Sequence, residues 1–184
     1  MEQINKVKSM SIWIFIVPFV AVNTCLILIT QFHGLFPNRD DIIHSTFPYI
    51  DGVESISRTA RVFPTYLIFK PAMFLTSYLL IRYWYLNKEI LLEVGGEHKH
   101  IKKIIFCGIA STIALTIHSI FLGFQFEYDL YKLFRRVIMI SFIIFEIVAQ
   151  AYLVIILYSF RKKIIHLINP TFLKAKLILV SLLI

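Results

Sequence analysis

The sequence predicts an all-α fold, a polytopic bundle of transmembrane helices, on three observations. Four segments, 12–32, 66–85, 104–124 and 137–160, each hold about twenty or more mostly uncharged residues. At about 1.5 Å of rise per residue, each crosses a hydrocarbon core of about 30 Å. Hydrophobic residues make up 58% of the chain, against about 45–50% in soluble domains. Most charged residues flank the apolar segments, and only Lys70, Arg82 and Glu146 lie within them.

The first segment, 12–32, follows Lys6 and Lys8 as a signal peptide would. Its apolar run is longer than that of a cleavable signal, and no small-residue cleavage site follows it, so it reads as a retained anchor. Segment 66–85 contains Lys70 and Pro71, and Pro71 is expected to kink or start its helix. Tyr83, Trp84 and Tyr85 close the segment as an interfacial aromatic belt would. Segment 104–124 carries Gly108, Ala110, Ser111 and Ala114, small residues suited to close helix contact. Segment 137–160 contains Glu146 and, one turn on, Gln150. A fifth stretch, 177–184, reads as a partial span. It is either a span that stops short or a helix lying along the inner surface beside Lys174 and Lys176. Residues 1–184 form one transmembrane domain on this reading.

The formal charge is +8, but no basic patch interleaved with stacking aromatics points to nucleic acid. Twelve of the 19 Lys and Arg fall on the side of the N-terminus and seven on the other. Cytoplasmic loops carry the excess, which predicts a multi-pass cell-membrane protein with its N-terminus in the cytoplasm. Cys25 and Cys107 both lie within apolar segments and read as packing thiols. Glu97-His98-Lys99-His100 lacks a third ligand, and its lysines repel a cation. No metal site and no cofactor is expected.

The first outer loop, 34–63, is long for a connection. Its Arg58 and Arg61 sit among hydroxyls, as a segment binding a lipid phosphate would. An ordered cap over the bundle mouth is the alternative, and the two are compatible. Within the spans, ionisable residues are costly and mark candidate sites. Counted from the outer ends of their segments, Lys70, His118 and Glu146 fall at depths of about 9, 9 and 14 Å. They are expected to share one polar layer, with Gln150 below Glu146. That layer is either a clasp fixing helix register or a binding site.

The block from Phe47 to Phe74, FPYIDGVESISRTARVFPTYLIFKPAMF, resembles the corresponding region of the damage-regulated autophagy modulator superfamily. That group includes eukaryotic proteins linked to GPI-anchor lipid remodelling and uncharacterised bacterial members. The resemblance implies five or six spans, an inside N-terminus and a long first outer loop. It carries no catalytic residue onto these positions.

The sequence lacks a phosphate-binding glycine loop, a serine nucleophile elbow and a helical pair of zinc ligands. The expected role is a non-enzymatic membrane protein that binds or organises lipid. Arg58, Arg61, Lys70, His118, Glu146 and Gln150 are its candidate ligand-binding residues. Its expected partners are membrane lipids, anionic ones among them, with a membrane-protein partner or a second copy of the chain also open. Two rivals remain. One is a lipid-acting enzyme with His118 and Glu146 as acid and base. The other is a small proton-coupled transporter using the buried charges.

Overall fold

The computed structural model describes residues 2–38, 59–95, 100–124, 128–164 and 169–183. Five long helices account for most of them: α1 (Glu2–Gln31), α2 (Tyr66–Gly95), α3 (Ile101–Phe121), α4 (Asp129–Ser159) and α5 (Pro170–Leu183). A 3-10 turn follows α1 at His33–Leu35, and a single helical turn, Arg161–Ile164, follows α4. There is no strand among the described residues.

Three helices, α1, α3 and α4, are long and apolar enough to cross a membrane. Helix α2 is as long as α1 but less apolar, with Lys70, Arg82 and several tyrosines along it. The surface matches a lipid surround. Helix α1 exposes Ile12, Trp13, Phe15 and Phe19, and α5 exposes Phe172, Ile178 and Leu182. Apolar area this continuous is rare on a protein that faces water.

Consecutive helices pack side by side, most extensively α3 on α4, then α1 on α2, α2 on α3 and α4 on α5. At the N-terminal end, Gln3 donates to the Glu89 carboxylate at 3.3 Å. Lys163 reaches the Val94 carbonyl there at 3.4 Å. A core of Trp84, Leu91, Ile104, Leu153 and Ile156 lies on this side of the bundle. A second core, around Cys25, Phe69, Met73, Leu115 and Leu122, lies toward the opposite end. Both cysteines are free thiols.

The helices run past the apolar segments. Helix α2 continues ten residues beyond Tyr85 to Gly95, and α4 begins at Asp129, where Lys132 pairs with Asp129 at 3.1 Å. Backbone hydrogen bonding continues after the side chains turn polar, so helix ends and hydrocarbon boundaries differ. Pro71 lies inside α2, five residues after its start. The Tyr83-Trp84-Tyr85 run is not a belt at the helix end. Trp84 is fully buried and Tyr83 nearly so, while Tyr85 faces outward. At about 100° per residue, three consecutive side chains cannot share one environment.

Helix α5 starts seven residues before the apolar stretch at Leu177. Asn169 accepts the Thr171 backbone N–H at 2.9 Å, and Pro170 takes the first helical position. That pairing of an Asn cap with a Pro is a strong helix start. The helix then runs lengthwise along α4, burying Leu173 and Val180, and does not lie across the end of the bundle.

Part of the connection between α1 and α2 is built into the bundle. Thr59, Ala60, Val62 and Thr65 are buried. The Thr65 hydroxyl donates to the Thr59 carbonyl and to the Val62 carbonyl, the latter at 2.7 Å. Val62 packs with Ile29 of α1 and with Phe36. The stretch 59–65 is therefore an ordered plug. Residues 39–58, with Arg58, lie outside the described residues.

Candidate functional site

The site starts from the small-residue face of α3. Gly108 leaves room for the Trp84 indole of α2: a Cβ on Gly108 would lie 2.5 Å from the ring. Ser111, one turn on, is fully buried. Its hydroxyl donates to Glu146 Oε2 on α4 at 2.8 Å. Gln150 Nε2 donates to the other carboxylate oxygen, Oε1, at 2.9 Å. Gln150 thus turns its amide nitrogen to Glu146. Gln150 Oε1 is then buried without a donor. The buried Trp84 Nε1–H also lies by this carboxylate, outside hydrogen-bond geometry.

Glu146 and Gln150 line a cavity of about 700 Å³ between α1, α2, α4 and α5. Its walls are mostly apolar, with Ile14, Phe15, Leu80 and Leu179 among them. Ser11, Tyr83 and Lys176 supply the polar remainder, and Lys176 donates to the Tyr83 hydroxyl oxygen at 3.4 Å. Lys176 faces the same space as Glu146 without a direct ion pair between them. No extensive contact joins α1 to α5, so the cavity has a lateral gap there. A smaller space of about 150 Å³ continues toward the N-terminal end past Lys8, Asn87 and Leu157.

The expected single polar layer separates into two levels. Glu146 sits at the level of Ser111, and His118 lies seven residues further along α3, about 10 Å away along the axis. Counting from Val137 understates the depth of Glu146 along its helix, because α4 begins two turns earlier at Asp129. Lys70 also stays at the far end. Its ammonium donates to the Ile120 carbonyl at 3.3 Å and lies over the Phe124 ring at 5.2 Å and the Tyr66 ring at 5.6 Å. It caps the C-terminus of α3, where a cation meets the negative end of the helix dipole. Arg61 and Arg135 lie near His118. The structure divides the candidate residues: Glu146 and Gln150 meet on α4, Arg61 lies near His118 and Lys70 at the far end, and Arg58 is outside the described residues.

Ser111, Tyr83 and Lys176 complete the arrangement and were not picked out as site residues. Ser111 stood in the small-residue face, a signal of close approach that also placed a hydroxyl opposite Glu146. Lys176 reads as an inner-surface charge until α5 folds onto α4. No cluster of three His, Cys, Asp or Glu able to hold a metal occurs among the described residues. Compared with known proteins, the chain matches no family model, no curated protein and no solved structure.

Proposed function

We propose that this chain is a non-enzymatic integral membrane protein that binds a membrane lipid in the cavity between α1, α2, α4 and α5. One observation carries the reading: an apolar-walled space of about 700 Å³ with a carboxylate and a lysine on its wall and a lateral gap toward the hydrocarbon. Ligand sites are commonly apolar cavities of about 300–1,000 Å³ with a few polar groups that fix orientation. On this reading α2 spans the bilayer beside α1, α3 and α4. The N-terminus is cytoplasmic, as the Lys and Arg distribution supports. The plug 59–65 closes the outer end of the bundle. The resemblance of Phe47–Phe74 to the damage-regulated autophagy modulator superfamily is compatible with a lipid-related role in the cell membrane. An enzyme using His118 and Glu146 on one substrate atom would need them adjacent, and their separation counts against it.

The test is native mass spectrometry of the protein released from mild detergent. Ala175 lines the cavity, so Ala175→Trp fills it, while Ile113→Trp adds the same bulk on an exposed position of α3. The expected result is a retained lipid in the wild type and in Ile113→Trp, and its loss in Ala175→Trp. Equal retention in all three sinks the proposal.

A further inference from the structure

The polar groups of the cavity have an order along the bundle axis, and that order selects a ligand chemistry. Lys176 is shared by the large cavity, where it faces Glu146 and Gln150, and by the smaller one lined by Lys8, Asn87 and Leu157. Donors and positive charge therefore lie toward the N-terminal end. Lys176 uses the Tyr83 oxygen as acceptor, which leaves the Tyr83 O–H free to donate. Glu146 lies one turn deeper than Gln150 along α4. Beyond it the wall is apolar, with Ile147, Leu179, Val180 and Leu183.

The Glu146 carboxyl has acceptor capacity to spare. As a carboxylate it can accept about four hydrogen bonds and takes one on each oxygen, from Ser111 and Gln150. Gln150 Oε1 is buried with none. An anion placed there would face acceptor oxygens whose neighbouring donors are already engaged, whereas a neutral hydroxyl can donate to them. An anion fits one step nearer the N-terminal end, at Lys176 and Tyr83.

Resting on the lipid-binding reading, we infer that the cavity selects a single-chain lipid phosphate with a free hydroxyl beside the phosphate, as in a lysophospholipid. The phosphate meets Lys176 and the Tyr83 hydroxyl. The hydroxyl donates to Glu146, and the chain follows the apolar wall. Esterifying that hydroxyl replaces a donor with a carbonyl acceptor facing a carboxylate, which is how a site rejects a near-isostere.

The test compares three probes in detergent micelles by competition in native mass spectrometry: monooleoyl glycerophosphate, its propanediol analogue lacking the hydroxyl, and dioleoyl glycerophosphate. A hydrogen bond to a charged group is worth about tenfold or more in affinity. The wild type should bind the hydroxyl-bearing probe about tenfold tighter than its propanediol analogue, and dioleoyl glycerophosphate weaker still. Glu146→Gln should lose most of that preference, and Lys176→Met should weaken all three probes alike. Equal binding of the monooleoyl and propanediol probes by the wild type overturns the inference, whatever the variants do, and leaves the lipid-binding reading standing. No binding of any probe, with no lipid retained from the membrane, overturns both.

Discussion

The Ser111 hydroxyl of α3 donates to the Glu146 carboxylate of α4 at 2.8 Å, across the most extensive helix contact in the bundle. Interhelical hydrogen bonds within membranes average only about 0.6 kcal/mol, because unfolded helices find other partners. This one should exceed that average, since its acceptor is a carboxylate and the site is buried. Ser111→Ala is expected to cost about 1–2 kcal/mol. Reversible unfolding in mixed detergent measures it, and a cost indistinguishable from zero would show that Glu146 finds another donor.

Gly108 of α3 packs directly against the Trp84 indole of α2. A Cβ at Gly108 meets the indole at 2.5 Å, and the ring is fully buried with no free side to move toward. Gly108→Ala should destabilise by about 1–3 kcal/mol through overpacking. Trp84→Leu should cost stability by itself and also abolish the penalty at Gly108. A double-mutant cycle on the two positions reads this coupling, and additive costs would exclude it.

Lys70 is expected to act on stability and not on lipid. Its ammonium satisfies the Ile120 carbonyl at the end of α3 and lies over the Phe124 and Tyr66 rings. Lys70→Met keeps most of the side-chain volume and removes the charge, for a loss of about 1 kcal/mol. Lipid retention at the cavity should stay at the wild-type level. Loss of lipid without loss of stability would move the binding site to this end of the bundle.

The helices were legible in the sequence because each needs only a run of apolar residues, and the exposed faces of α1 and α4 follow from the same runs. The candidate site was half legible. Glu146 and Gln150 stand out as polar residues in an apolar segment, and their spacing of four puts them on one face. Lys70 and His118 lie at a different level because α4 starts at Asp129, two turns before its apolar boundary, which sets Glu146 deeper than the apolar run implies. Lys176 was hidden for a different reason. Its place opposite Glu146 depends on α5 packing lengthwise on α4, a tertiary fact with no local signature. The Tyr83-Trp84-Tyr85 run illustrates the same limit, since only the fold decides which of three adjacent aromatics turns inward.

Orientation can be tested directly from the charge distribution. Twelve Lys and Arg on the N-terminal side against seven on the other favour a cytoplasmic N-terminus. The margin is narrowed by Lys132, Arg135 and Arg136 at the start of α4. Glu2 lies at the N-terminal end, and Tyr128 lies at the opposite end with 76% of its surface exposed. In a background with Cys25 and Cys107 replaced by alanine, a membrane-impermeant maleimide should label Tyr128→Cys on intact cells. It should label Glu2→Cys only after permeabilisation. The reverse pattern would invert the bundle and put the Lys8 and Lys176 end of the cavity in the outer leaflet. A lipid bound there would then be drawn from the outer leaflet, so the same labelling experiment fixes which leaflet supplies any ligand of the cavity.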